Sequence, residues 1–144
     1  MIIGLVGCSN QKEAFQGEAR KVYSSTLFRM SMELSEKWCD ATYILSAKYK
    51  VIAPDEIIKP YNESLKDYTK KGREKWSVEV INQLVNKVGV KDGDTLFFFC
   101  GKYYYESMLS WDKLWKAYGW RCEMPFQGLR IGERLKYIKE RLHE

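Results

Sequence analysis

Short apolar segments alternate with helical patterns along this chain, and this alternation restricts its possible folds more than any other feature. The first three segments are bounded by turn residues, such as the loop Val88–Asp94 before the third. The predicted strands are Ile2–Val6, Thr42–Leu45, Thr95–Cys100 and a weaker one at Arg121–Met124. Strands that alternate with helices predict a mainly parallel sheet with helices on both faces.

Amphipathic patterns fill the intervals between these strands. We predict helices from Ser25 or Thr26 to about Trp38, from about Arg73 to Val88, from about Tyr103 to Tyr118, and from Ile131 to Leu142. The expected fold is α/β, a three-layer α/β/α sandwich with about four strands and right-handed, Rossmann-like connections. The apolar stripes of the helices are expected to form the core.

Length and composition favour a single α/β domain over residues 1–144, because 144 residues can enclose one core. No apolar run approaches the ~20 residues of a membrane span, and no signal-peptide pattern is present, so we expect a cytoplasmic protein without membrane contact. The four cysteines and the one histidine lack the spacing of a metal site, so we expect no metal and no cofactor. A net charge of +5 favours anionic partners.

Small and polar residues follow the carboxyl end of each predicted strand. They form the segments Gly7–Lys12, Ser46–Tyr49, Cys100–Tyr104 and Phe126–Gly132. Parallel strands bring their carboxyl ends to one edge of the sheet, where open α/β proteins bind ligands. These four segments are therefore expected to converge on one site.

Three residues are candidates for catalysis. Cys8 could act as a nucleophile, or it could be a small buried residue beneath a turn. The single histidine, His143, lies close to the end of the chain, so the usual general base is missing. Asp55 and Glu56 are the carboxylates best suited to activate water, in a long irregular stretch that could equally be a structured cover.

Cations and aromatic side chains near the strand ends are candidates for ligand binding. Lys12, Lys48 and Arg130 could hold phosphate, although such residues also occur on solvated surfaces. Tyr61 could stack on a base. At least one of the three tyrosines at 103–105 must point away from the core, and Tyr104 is the one assigned to binding. Neither a P-loop nor a G-x-G-x-x-G motif is present.

Five motifs in order resemble a family of small bacterial and phage proteins of unassigned function, distantly similar to the YaaA peroxide-stress proteins. They are Gly7-Cys8-Ser9-x-x-Lys12, Tyr23-Ser24-Ser25-x-Leu27-Phe28, Leu45-Ser46-Ala47-Lys48-Tyr49, Pro60-Tyr61-x-x-Ser64-Leu65 and Gly128-Leu129-x-Ile131-Gly132. The resemblance implies that one site contains Cys8, Ser9, Lys12, Tyr23, Ser46, Lys48, Pro60 and Tyr61. One departure is Lys50, where the pattern leads us to expect glycine.

The leading hypothesis is an enzyme that acts on a nucleobase, a nucleotide or modified DNA, for example by hydrolysis of an N-glycosidic bond as in DNA glycosylases. A flipped base would need a stacking pocket of the kind predicted here. One alternative is a non-catalytic module that binds a nucleotide or DNA. Another is a phage- or stress-associated factor that binds a protein. The expected partner is a nucleotide or a nucleic acid, and the oligomeric state is left open.

Overall fold

The computed structural model describes residues 1–8, 12 and 15–144. Its strands are β1 (Ile2–Gly7), β2 (Gly17–Glu18), β3 (Ala41–Ser46), β4 (Lys50–Ile52), β5 (Ile57–Ile58), β6 (Thr95–Phe99) and β7 (Arg121–Glu123). Its α-helices are α1 (Ala19–Val22), α2 (Thr26–Trp38), α3 (Lys70–Gln83), α4 (Lys102–Leu109), α5 (Asp112–Ala117) and α6 (Ile131–Leu142). A 3-10 turn spans Leu65–Asp67, and a π-helical turn, Leu84–Val88, ends α3.

A five-stranded sheet has the order β4-β3-β1-β6-β7, and all its pairs are parallel except β3 with β4. The prediction of an α/β fold with a mainly parallel sheet is confirmed, and each predicted strand is present. Sequence reasoning missed the antiparallel edge strand β4 and the small ribbon of β2 with β5. Each of these three strands has only two or three residues, which is too short to show a periodic pattern.

Alternate residues of the central strands contribute to two separate apolar clusters. Leu5 and Phe98 belong to a cluster that includes buried residues of α3, α4 and α5. Val6 and Phe99 belong to a second cluster with residues of α2 and α6. Because successive strand side chains point to opposite faces, the sheet carries one cluster on each face.

The two outer predicted helices have the expected bounds, whereas the two middle ones differ. Ser25 caps α2 because its hydroxyl accepts a hydrogen bond from the backbone N–H of Phe28 at 3.1 Å. The predicted helix 103–118 is instead broken between α4 and α5. At the break, the indole N–H of Trp111 donates to the Ser77 hydroxyl at 2.7 Å, a tertiary contact that no local pattern reveals.

The turn from β3 to β4 is tight in spite of the lysine at position 50. Lys50 has a φ of 66° and is the one non-glycine residue with positive φ in the described part of the chain. The conformation at this position is therefore one that favours glycine. The Lys50 ammonium forms an ion pair with Glu79 at 2.9 Å, a contact that glycine could not make.

Strand β1 occupies the topological switch point of the sheet. From β1 the chain continues to β3 on one side and later crosses to β6 on the other side. The carboxyl ends of β1 and β6 therefore diverge into connections that run in opposite directions, which opens a crevice at this edge. In the part of the chain that the structure describes, no helix combines the length and apolar character that crossing a membrane requires.

Candidate ligand-binding site

Two adjoining cavities open at the crevice between β1 and β6. The inner cavity has a volume of about 140 Å³ and the outer one about 620 Å³. They share the lining residues Cys8, Ser25, Leu27, Gly101, Tyr104 and Arg134. The outer volume lies within the range of sites for small organic ligands. This crevice is the candidate functional site.

Cys8 lies where the two cavities meet, directly after β1. Its backbone N–H donates to the Leu45 carbonyl at 2.9 Å, which continues the pairing of β1 with β3 by one residue. Its sulfur lies 3.1 Å from the Tyr104 hydroxyl and 3.5 Å from the Tyr61 hydroxyl. Two phenols from distant parts of the chain therefore converge on one thiol.

Hydroxyl groups behind Cys8 form a connected network around Tyr61. The Tyr61 oxygen lies 2.6 Å from the Ser46 hydroxyl and 2.7 Å from the Tyr23 hydroxyl. The Ser46 oxygen in turn accepts from the backbone N–H of Tyr49 at 3.0 Å. One consistent arrangement has Ser46 and Tyr23 donating to Tyr61, while Tyr61 donates to the sulfur of Cys8.

The three tyrosines of this network remain protonated at neutral pH. Burial raises the pKa of Tyr61, Tyr23 and Tyr104, and a negative charge on the neighbouring Cys8 would raise each pKa further. Their hydroxyls can therefore donate or accept hydrogen bonds but cannot act as bases. The network is suited to hold a sulfur, or a ligand atom beside it, by hydrogen bonding.

The ammonium groups of Lys12 and the exposed Lys48 both lie over the ring of Tyr61. The ammonium of Lys12 is 4.5 Å from the ring centroid, and that of Lys48 is 6.0 Å from it. Tyr23 and Tyr49 contact the same ring edge-on. The predicted ligand residue Ser9 lies outside the described residues. The structure thus brings together Cys8, Lys12, Tyr23, Ser46, Lys48, Tyr61 and Tyr104.

Cations dominate the charge of the outer cavity. Lys66, Lys102 and Arg134 line it, and no carboxylate does so among the residues that the structure describes. Arg134 is held in place because its Nε donates to the Leu129 carbonyl at 3.0 Å. Gly101 lies so close to Arg134 that a Cβ at this glycine would come within 3.3 Å of Nη1. The guanidinium therefore lies against the start of α4.

Arg134 and Lys66 are two cations of the site that sequence reasoning missed, and only Arg134 had a signal in the sequence. A signal was present, since α6 carries its apolar stripe on Ile131, Leu135 and Ile138, and position 134 falls on the same helical face. An arginine on the apolar face of a helix indicates that its guanidinium has a polar partner on that face. The predicted cation of this region, Arg130, is instead exposed and lies outside both cavity linings.

The starts of three helices contribute to the lining of the outer cavity. They are represented by Ser25 and Thr26 for α2, Gly101 and Lys102 for α4, and Ile131 for α6. The first turn of a helix has backbone N–H groups without partners inside the helix and a partial positive charge. These ends add to the positive potential that the side chains provide.

The two candidate carboxylates lie outside the linings of both cavities. Asp55 is exposed in the turn between β4 and β5. Glu56 binds Lys87 at 2.7 Å and accepts a hydrogen bond from the backbone N–H of Ala53 at 3.0 Å. Partial burial raises the pKa of Glu56, but the hydrogen bonds and the charge of Lys87 outweigh it, so that the pKa lies below its usual value.

Replacement of Glu56 by glutamine is expected to cost stability only above the ordinary pKa of a glutamate. A carboxyl whose pKa is lowered by folding stabilises the protein above its unfolded pKa, and this contribution disappears as the pH falls through the folded pKa. The pair is half-exposed, so the loss at pH 7 should be at most about 1 kcal/mol. Urea unfolding of both proteins at pH 7 and pH 3 measures the difference. An equal difference at both pH values would contradict this role for Glu56.

Cys100 follows β6 at the floor of the inner cavity. It is 3% exposed, and burial raises the pKa of its thiol well above the usual value. The structure therefore distinguishes the two cysteines that follow central strands: Cys8 reaches the outer cavity, and Cys100 lines only the inner one. Within the described ranges, no group of three or more potential metal ligands is present.

The fold and the site define an α/β protein with an electropositive crevice at the switch point of its sheet. The chain matches the model of a family of unknown function (DUF6884) over residues 3–140, and it belongs to this family. The prediction of an uncharacterised family is thereby confirmed. No curated protein matches the chain.

Proposed function

We propose that this protein binds a nucleotide, with the phosphate held by Arg134, Lys102 and Lys66. The observation that carries the proposal is the outer cavity of about 620 Å³, which these three cations line without a carboxylate among the described lining residues. The nearest ion pair lies outside the lining, where the Glu106 carboxylate is 4.0 Å from Lys102 on the exposed side of α4. An anionic ligand would balance the charge of these three cations.

The position of the cavity supports the same proposal. In Rossmann-like folds, phosphates bind at helix starts beside the carboxyl ends of strands. We also propose that the present fold is a three-layer sandwich of this kind, which the two apolar clusters on opposite faces support. The ligand phosphate would then lie near the starts of α4 and α6, next to Arg134.

The remaining lining suits the base and the sugar of a nucleotide. Tyr103 has 41% of its surface exposed, and Tyr104, Leu27 and Leu135 line the same cavity. Planar bases stack on such aromatic rings in a way that tolerates different bases. Tyr61, by contrast, has its hydroxyl in the hydrogen-bond network with Ser46 and Tyr23. We therefore assign the stacking on a base to Tyr103 and not to Tyr61.

We propose, second, that the protein hydrolyses the N-glycosidic bond of the bound nucleotide. The observation that favours this is the Tyr104 hydroxyl, which lies 3.1 Å from the sulfur of Cys8 in the lining of the outer cavity. In this reaction water adds to the anomeric carbon, and the base departs with the bonding electron pair and a proton. A phenol held neutral beside the cavity can donate a hydrogen bond to the departing base. Release of free base from a nucleoside monophosphate, followed by chromatography, tests it, and absence of release with intact binding supports the non-catalytic alternative.

Replacement of Arg134 by alanine should weaken the binding of nucleoside monophosphates by about ten- to a hundredfold. A hydrogen bond to a charged group contributes about 1.5–3 kcal/mol, and each 1.4 kcal/mol is a factor of ten in affinity. Calorimetric titration with nucleoside monophosphates, the matching nucleosides and inorganic phosphate measures the effect. The nucleosides should bind more weakly than their monophosphates.

The matched control is Lys136→Ala, which removes one positive charge from the same helix outside the cavity. Its affinity should stay within about twofold of the unmodified protein, since an exposed charge at a distance is screened by salt. Circular dichroism establishes that both variants are folded. If the Arg134→Ala variant binds the monophosphates as tightly as the control variant does, the cavity is not the nucleotide site.

A further inference from the structure

Positive charge continues from the outer cavity onto the surface at the start of α3. We define the basic ridge as Lys66, Lys70, Lys71 and Arg73, which occupy the 3-10 turn and the first turn of this helix. Lys66 lines the cavity, and the other members follow within seven residues of it. In the described part of the chain, none of the four has a carboxylate within ion-pair distance.

The ridge is physically continuous with the aromatic wall of the cavity. The guanidinium of Arg73 lies over the ring of Tyr103, 5.2 Å from its centroid, and Tyr103 lines the cavity. Arg73 also donates to the Tyr68 carbonyl at 2.6 Å, which fixes its position. Lys70 and Arg73 also line a third cavity of about 230 Å³, together with Glu74 and Glu106.

Folding alone does not account for lysines at this place. The first turn of α3 contains Lys70 and Lys71 and no acidic residue, although the start of a helix favours negative charge. The lysine charges therefore repel the positive end of the helix dipole in the isolated protein. An anion bound across the ridge would be attracted by both the lysines and the helix start. Thr69 caps the helix through its side chain, so the lysines are not required for capping.

We infer that the ligand of this site is a single-stranded nucleic acid, with one nucleotide in the cavity and the backbone continuing past Tyr103 over the basic ridge. The inference rests on the proposed function and names its substrate class. A row of cations that leads away from a phosphate site matches a chain of phosphates, whereas a mononucleotide would leave the ridge unused. A base must be unpaired to enter the cavity, which favours a single strand over a duplex.

The double variant Lys70→Glu with Lys71→Glu tests the inference. Binding of a fluorescent twelve-nucleotide single strand, as DNA and as RNA, is followed by anisotropy at several salt concentrations. We expect the affinity at low salt to fall at least tenfold and the slope of log affinity against log salt to become shallower by about 1.4, because each lost phosphate contact contributes about 0.7. The factor by which the affinity for the strand falls should be at least five times the factor for a nucleoside monophosphate.

The double variant Lys91→Glu with Lys113→Glu is the control, since it makes the same change in net charge at exposed positions outside all these cavities. Its affinity for the strand should change less than threefold. The ridge variant should also melt at a higher temperature than the unmodified protein, because it places carboxylates at a helix start. This readout shows that any loss of binding does not come from unfolding.

Two results would overturn the inference while the proposed function stands. One is strand binding by the ridge variant with unchanged affinity and salt slope, and the other is duplex binding as tight as that of the single strand. Failure of the proposed function has a different signature: Arg134→Ala would leave the affinity for nucleoside monophosphates unchanged. The two experiments therefore separate the cavity from the ridge.

Discussion

Replacement of Trp76 by alanine is expected to lower the free energy of unfolding by about 3–5 kcal/mol, the usual cost of deleting a buried tryptophan. The side chain is 1% exposed in the cluster beneath α3. Its indole N–H donates to the Ser46 carbonyl at 2.9 Å. Its ring meets the Tyr104 ring edge-on, with the two ring centroids 5.4 Å apart. Chemical denaturation with urea measures the loss.

Trp76→Phe separates packing from hydrogen bonding at this position. The phenyl ring retains most of the apolar contact, but the Ser46 carbonyl loses its indole donor. The expected loss is about 1–3 kcal/mol, the cost of leaving a buried polar group without its partner. Equal stability of the phenylalanine variant and the unmodified protein would show that this hydrogen bond contributes nothing, and a loss below about 1 kcal/mol for the alanine variant would contradict the burial argument.

Gly4→Ala is expected to cost about 3 kcal/mol, because α2 crosses the central strand without room for a side chain. A Cβ at Gly4 would overlap the hydroxyl oxygen of Ser35 and lie 3.1 Å from the sulfur of Cys39. The Ser35 hydroxyl is itself hydrogen-bonded to Thr42 at 2.7 Å. Relief of the overlap therefore breaks this bond or moves the helix, and overpacking of this kind costs about 1–3 kcal/mol or more. Thermal and urea unfolding measure the effect.

The same substitution at Gly132 is the control. This glycine lies in α6, and a Cβ there would meet nothing within 4 Å. Alanine should therefore stabilise the protein by about 0.4–1 kcal/mol, since it restricts the unfolded chain. The Gly4→Ala loss should also shrink when Ser35 is replaced by glycine, so that the two effects do not add. Simple additivity would show that the overlap with Ser35 is not the cause.

Sequence reasoning recovered those elements whose signal is local. The cap at Ser25 and the bounds of α6 follow from a hydroxyl before an apolar stripe and from helical spacing. The prediction of one continuous helix over 103–118 was wrong, because the helix breaks where Trp111 hydrogen-bonds to Ser77, a residue of α3. The small strands β4 and β5 depend on partners in other segments, which no window of sequence contains.

The candidate site was predicted in part. The family motifs placed Cys8, Tyr23, Ser46 and Tyr61 together, and the structure connects them through hydroxyl groups. The predicted function of Tyr61 as a stacking residue did not anticipate that its hydroxyl would lie in the network. The helical face of Arg134 carried a signal, but its contact with the start of α4 could not be predicted because the two are more than thirty positions apart.

The sequence by itself determined the alternation of strands and helices, the parallel character of the sheet and the edge at which small and polar residues collect. These features depend on periodicity and turn residues, which act over a few positions. Only the tertiary structure decided which side chains face the crevice. Cys8 contacts Tyr61, which is 53 positions away in the sequence, and Tyr104, which is 96 positions away. Such contacts form only when separate elements pack together. The same packing pairs Glu56 with Lys87, away from the site, and places Lys66, Lys102 and Arg134 in the lining of the outer cavity.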